Sequence, residues 1–139
     1  MKELDIQRHL YEQVRKEGGY GHKMSHQFLA GVPDLLLIHP DLGTWVVEVK
    51  FLSLPKGYVP IGTTKLQEEH LRRINEAGGK ACVIVVVKDG DEYTLYATTS
   101  FEQMQTGRWE KKFPTSIGMT KKRGEKWPIV DLLKILEIK

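Results

Sequence analysis

The stretch from Gly31 to Lys50 limits what this chain can become more than any other. It reads Gly-Val-Pro-Asp-Leu-Leu-Leu-Ile, a short turn, then Trp-Val-Val-Glu-Val-Lys. Two apolar runs, Leu35 to Ile38 and Thr44 to Leu52, are separated by His39-Pro40-Asp41-Leu42-Gly43, which has the composition of a hairpin connection. As paired strands they carry Asp34 at the head of the first and Glu48 and Lys50 on one face of the second, because side chains alternate along a strand. Charges on buried strands cost free energy unless something compensates them. A divalent cation held by the two carboxylates, with the lysine beside it, is the simplest compensation.

The flanking sequence supplies elements around this pair. Residues 2–17 have helical periodicity through Leu4, Leu10, Tyr11 and Val14, and Gly18-Gly19 ends the pattern. On a helical wheel Glu3, Gln7, Leu10, Val14 and Glu17 share a stripe, so Glu3 points inward or towards a cleft and Glu12 falls on the far side. Tyr20 to Phe28 is a weakly alternating first strand, and Ala30-Gly31-Val32-Pro33 a turn. Leu54 to Gly62, with its prolines and glycines, is a loop. Thr64-Lys65-Leu66-Gln67 has the form of a capping box opening a helix to Ala77, with Leu66, Leu71 and Ile74 inward and Gly78-Gly79 as its stop. Ala81 to Val87 is a buried strand, Asp89-Gly90 a hairpin turn and Glu92 to Ala97 its return.

Ser100-Phe101-Glu102-Gln103 marks a short helix that Gly107 ends. Arg108 to Trp127 is irregular and basic, with Trp109, Phe113 and Trp127 interleaved. Pro128 then opens a helix with Ile129, Leu132, Leu133 and Leu136 on one stripe, which closes the core or forms a dimer face. The fold class expected is α/β: a hairpin-built sheet extended through a helical crossover, flanked by helices, with a helical C-terminal extension. At 139 residues this makes one domain, in which residues 1–107 form the core and residues 108–139, a basic loop and helix, pack on it.

Composition narrows the setting. Net charge is only +3, but residues 108–126 hold seven Lys or Arg against two Glu, so that segment carries +5 and the remainder −2. A local basic surface follows, with Lys121, Lys122 and Arg123, then Lys111 and Lys112, as phosphate contacts and the aromatics either stacking on unpaired bases or tucked into the core. The single cysteine, Cys82, sits in an apolar run as an inert core thiol, which fits a reducing, cytoplasmic setting. No apolar run approaches the length of a membrane span, so no membrane partner is expected.

Asp34 and Glu48 offer hard oxygen ligands suited to Mg²⁺ or Mn²⁺, and Lys50 on the Glu48 face would position water or stabilise charge developing on phosphorus. Taken singly, Pro-Asp is a common turn dipeptide, Glu-x-Lys a common strand ion pair, and Gln67 is accounted for by its capping box. His26, His39 and His70 lack metal-ligand spacing and stand outside the site.

Together, Pro33-Asp34, thirteen residues, then Glu48-Val49-Lys50 resembles the signature of the PD-(D/E)xK nuclease superfamily. Glu3-Leu4-Asp5-Ile6-Gln7, Gly31-Val32-Pro33-Asp34-Leu35 and Gln67 before Gly78-Gly79 resemble its VRR-NUC branch, found in small phage and bacterial nucleases, over residues 3–87. The resemblance implies a restriction-endonuclease-like core with a mixed sheet. It also implies an Mg²⁺- or Mn²⁺-dependent endonuclease acting on DNA, with four-way-junction resolution by a homodimer as the likeness to stand-alone members, in the bacterial or a phage host's cytoplasm. On it, Asp34, Glu48 and the Val49 carbonyl are metal ligands, Lys50 is the catalytic lysine, and Gln67 and Glu3 complete the catalytic set; no small-molecule cofactor is implied. The rivals are a catalytically inactive nucleic-acid-binding module of the same fold and an interaction domain in which these charges form a buried network.

Overall fold

A computed structural model describes residues 1–24, 31–53, 65–99 and 117–138. Helix α1 (Glu3–Lys16) leads into strands β1 (Tyr20–Lys23), β2 (Leu35–His39) and β3 (Gly43–Ser53), helix α2 (Lys65–Glu76), strands β4 (Ala81–Asp89), β5 (Glu92–Thr98) and β6 (Ile117–Lys122), and helix α3 (Ile129–Ile138). The six strands form one sheet in chain order. Every neighbouring pair is antiparallel except β3 and β4, which run parallel and are joined through α2. This is the mixed α/β sheet flanked by helices that the sequence led us to expect.

The strand alternation divides the molecule into two layers. Leu35, Leu37, Val47, Val49, Cys82, Ile84, Val86, Tyr93, Leu95 and Ala97 point to the face covered by α1 and α3, where they meet Ile6, Leu10, Val14, Ile129, Leu132 and Leu133. The other face of β3 and β4 presents Leu52, Ala81, Val83, Val85 and Val87 to Leu71 of α2. Strand β4 is therefore buried on both sides, which is why its sequence is a continuous apolar run rather than an alternating one.

Both long helices stop as their Gly-Gly pairs dictate. Gly18 takes a φ of +90° and Gly78 one of +92°, and the amides of Gly19 and Gly79 reach back 2.9 Å to the carbonyls of Val14 and Ile74. Gly18 and Gly78 themselves donate to Arg15 and Asn75, completing the double hydrogen bond of a Schellman cap. At its start α1 is held by the Asp5 carboxylate, which accepts the Lys2 amide at 2.8 Å, and its acidic first turn and basic last turn complement the helix dipole.

Two expectations are corrected. Leu66 was expected inward and is instead 44% exposed, while Glu68 lies buried beside Leu71 in α2. The segment read as irregular from Arg108 onwards contains β6, an edge strand paired with β5. Of the two roles open to helix α3, it closes the core, with Ile129, Leu132 and Leu133 fully buried. Cys82 is buried and burial raises its thiol pKa, as an inert core thiol requires. The loop from Leu54 to Gly62, the Thr64 cap, the helix from Ser100, and Trp109, Phe113, Lys111 and Lys112 lie outside the described residues. Among those described, no helix is long and apolar enough to cross a membrane.

Candidate functional site

Strand β3 is longer than its neighbour β2, and the mismatch makes a notch. Pairing with β2 stops at Val47 opposite Leu35, whereas pairing with β4 continues to Ser53. Beyond Val47 the β2-side edge of β3 takes carboxylates in place of a strand. Asp34 Oδ2 accepts the Val49 amide at 2.9 Å, and the Phe51 amide lies near enough to the Glu3 carboxyl to favour its charged form. Since a strand residue's N–H and C=O point the same way, the Val49 carbonyl also faces this notch.

Each side chain arrives there for a local reason. Asp34 sits where the chain enters β2, and its carbonyl is pinned by the Met24 amide at 2.8 Å. Gly31 precedes it with a φ of +81°, so close to α2 that a Cβ there would stand 2.6 Å from Leu66 Cγ. That contact fixes the start of α2, and hence Gln67, against the Asp34 turn. Glu48 and Lys50 project from alternate positions of β3 on the α2 side.

The polar groups form a closed set. Lys50 Nζ lies 3.2 Å from Glu48 Oε2 and donates to Gln67 Oε1 at 3.3 Å, while Gln67 Nε2 donates to Glu48 Oε2 at 3.0 Å. The Gln67 amide thus faces Glu48 and Lys50. Glu48 is only 2% exposed, and its Oε1 is buried with no hydrogen-bond partner among the described residues. Burial, and after it the charge of nearby Asp34, pushes the Glu48 carboxyl up to about 7, against the opposing pull of Lys50. Burial also raises the Glu3 carboxyl, partly offset by Lys50.

Of the five residues expected together from sequence, Glu48, Lys50 and Gln67 are joined directly, Asp34 is bonded to the Val49 amide beside them, and Glu3 acts on Asp34 and Lys50 through charge. The Phe51 amide was not anticipated; it becomes visible only once the β2–β3 register is known. No group of three or more His, Cys, Asp or Glu side chains gathers among the described residues, so an ion here would rest on two carboxylates, a carbonyl and water. The site fits such an ion on its own chemistry: a buried carboxylate oxygen lacks a donor, its proton affinity is raised, and a second carboxylate lies beside it. His39, excluded from the site on spacing, is a buried structural residue bonded to the Glu17 carbonyl and the Asp41 amide.

The basic cluster lies elsewhere. Lys121 is 7% exposed, with its ammonium 4.1 Å from the Trp127 ring centre, while Lys122 and Arg123 are exposed. Trp127 itself is buried and stacked on His9, so of the two roles open to it the core role is the one it takes.

No family model matches the chain, and no curated protein matches it. Among solved structures it is similar to one described as "VRR_NUC domain", at 27% identity and a TM-score of 0.45 over 75% of this chain and 90% of that one. It is also similar to Hjc, a Holliday junction resolvase from Archaeoglobus fulgidus, at 14% identity and a TM-score of 0.46 over 66% and 72%.

Proposed function

We propose that this protein hydrolyses phosphodiester bonds in DNA, using Mg²⁺ or Mn²⁺ held by Asp34, Glu48 and the Val49 carbonyl. The observation that carries the reading is Glu48 Oε1, buried without a donor, beside Asp34 and on the same strand face as Lys50. When bound, the cation supplies Lewis-acid activation of phosphate and water. Lys50, fixed between Glu48 and Gln67, holds a positive charge where negative charge grows on the phosphoryl oxygens. Gln67 keeps carboxylate and ammonium in register by donating to one and accepting from the other. Glu3, near the Phe51 amide, bounds the notch on the α1 side. The motif resemblance extends the proposal to branched DNA cut by a pair of copies.

Nicking of a panel of branched and linear DNAs tests this. Mg²⁺-dependent cutting that is lost with EDTA and in Asp34→Ala and Lys50→Ala is expected. Cutting that survives both substitutions, or DNA binding with no cutting in either metal, contradicts it.

A further inference from the structure

At the end of the sheet where β3 and β4 finish, but on the face carrying α1 and α3, lies a cavity of about 440 Å³. It is lined by Lys88 at the end of β4, Asp91 in the β4–β5 turn, Tyr93, Lys121 of β6, Arg123 and Trp127, with His9 and Met1 from α1 and its lead-in. Three cations face one carboxylate. Lys121 is the unusual member, an ammonium on a residue only 7% exposed, held over Trp127 and near Tyr93. Among the described residues no carboxylate comes within ion-pair distance of it; Glu125 acts on it only through space. Held over aromatic faces at the cavity wall, that ammonium has no carboxylate partner among the described residues.

The start of α1 links this cavity to the notch. Met1 lines the cavity and Glu3 lies near Phe51 in β3, and two residues of chain span at most about 7 Å. Notch and cavity lie at the same end of the sheet, where Ser53 of β3 pairs with Lys88 of β4, so DNA engaged at the notch presents backbone phosphates at this end.

We infer that the cavity binds a phosphate of the DNA strand flanking the cut, with Lys88, Lys121 and Arg123 as its cations. This rests on the nuclease reading above. The partner is a backbone phosphate rather than a base, because one face of Trp127 is stacked on His9 at 5.4 Å and the Lys121 ammonium stands over its ring. Contacts here are blind to sequence and strengthen binding at low salt.

Binding of a fluorescently labelled four-way junction and a matching linear duplex, followed across salt concentrations without Mg²⁺, tests it. In the Lys88→Gln/Arg123→Gln double variant, affinity is expected to fall about tenfold, and the slope of log K against log salt to lessen by roughly 0.9 per lost contact. Both residues lie at the surface or half-buried, so folding is not at stake; Lys121→Met, which keeps the stem, should lose affinity similarly. Lys134→Gln removes a charge that pairs with Asp41 at the opposite end of the sheet and should leave the slope unchanged. An unaltered slope in the double variant, with Asp34-dependent cutting intact, overturns this inference and leaves the nuclease reading standing. If wild type binds no DNA but inorganic phosphate raises its melting temperature through Arg123, the site serves a small free anion and the strand assignment falls. If wild type responds to neither DNA nor phosphate, both readings fall.

Discussion

At the scale of single residues, Gln67 is the most informative position. Sequence gives it two roles, a helix cap and a site residue, and spacing cannot choose between them; its hydrogen bonds to Glu48 and Lys50 favour the second. Each bond to a charged group is worth about 1.5–3 kcal/mol. Gln67→Ala is therefore expected to lower the denaturation midpoint and to slow single-turnover cleavage at least about tenfold under conditions where the variant is folded; a variant cutting at the wild-type rate would remove Gln67 from the site. His9 offers a pH test. Burial against Trp127 lowers its pKa, helped by Arg8 and by Lys121 across the cavity, and opposed by Glu12 and Asp5. The unfolded state then binds more protons below about pH 6.5, so the His9 contribution to stability falls as pH drops through that range. Glu48, raised to about 7, gains stability over the same fall in pH, so the His9 share is read as a difference: between pH 7.5 and 5.5, urea melts should show wild type losing more, or gaining less, than His9→Gln. Asp34, Glu48 and Lys50 were legible because strand alternation and a fixed spacing locate them. The carboxyl of Glu3 was legible from a helical wheel, but its Phe51 contact needed the sheet register.

At the scale of elements, a single glycine couples helix to strand. Gly31 combines a left-handed backbone with a contact to Leu66 that leaves no room for a Cβ. Gly31→Ala is expected to cost about 1–2 kcal/mol from the backbone alone, and to reduce cleavage further by displacing Asp34 from Gln67. Chemical denaturation and cleavage rates measured on the same variant check both. Leu66 is exposed partly because its work is done against this turn, a tertiary reason that helical periodicity does not contain. Strand β6 was missed for a related reason: Ile-Gly-Met-Thr-Lys-Lys has no clean alternation, and as an edge strand it carries lysines and a glycine that in sequence look like loop. Helix α3 was readable from its apolar stripe, but whether that stripe met its own core or another chain was not. Leu133→Ala should cost about 2–5 kcal/mol, the loss expected of a buried core leucine; a change under 1 kcal/mol would mean α3 does not close the core.

At the scale of the whole molecule, the site exists because one strand outruns its neighbour. The hairpin β2–β3 supplies Asp34 and Glu48, the parallel crossover brings α2 and Gln67 over the same face, and α1 closes the far edge with Glu3. The sheet order followed from hairpin turns and the capped crossover helix, which is why most of the fold was foreseeable from the chain. The cavity around Lys121 was not: it gathers residues from α1, β4, β5, β6 and the turn before α3, and no local pattern announces such a meeting. In the function proposed above, the buried Glu48 oxygen and Asp34 hold a divalent ion. Thermal melts with and without Mn²⁺ measure this most directly, since an ion at about 100 times its dissociation constant adds about 2.7 kcal/mol. The melting temperature is expected to rise with Mn²⁺ in wild type and not to move in Glu48→Ala. Equal shifts in the two proteins, or none in wild type, would contradict it.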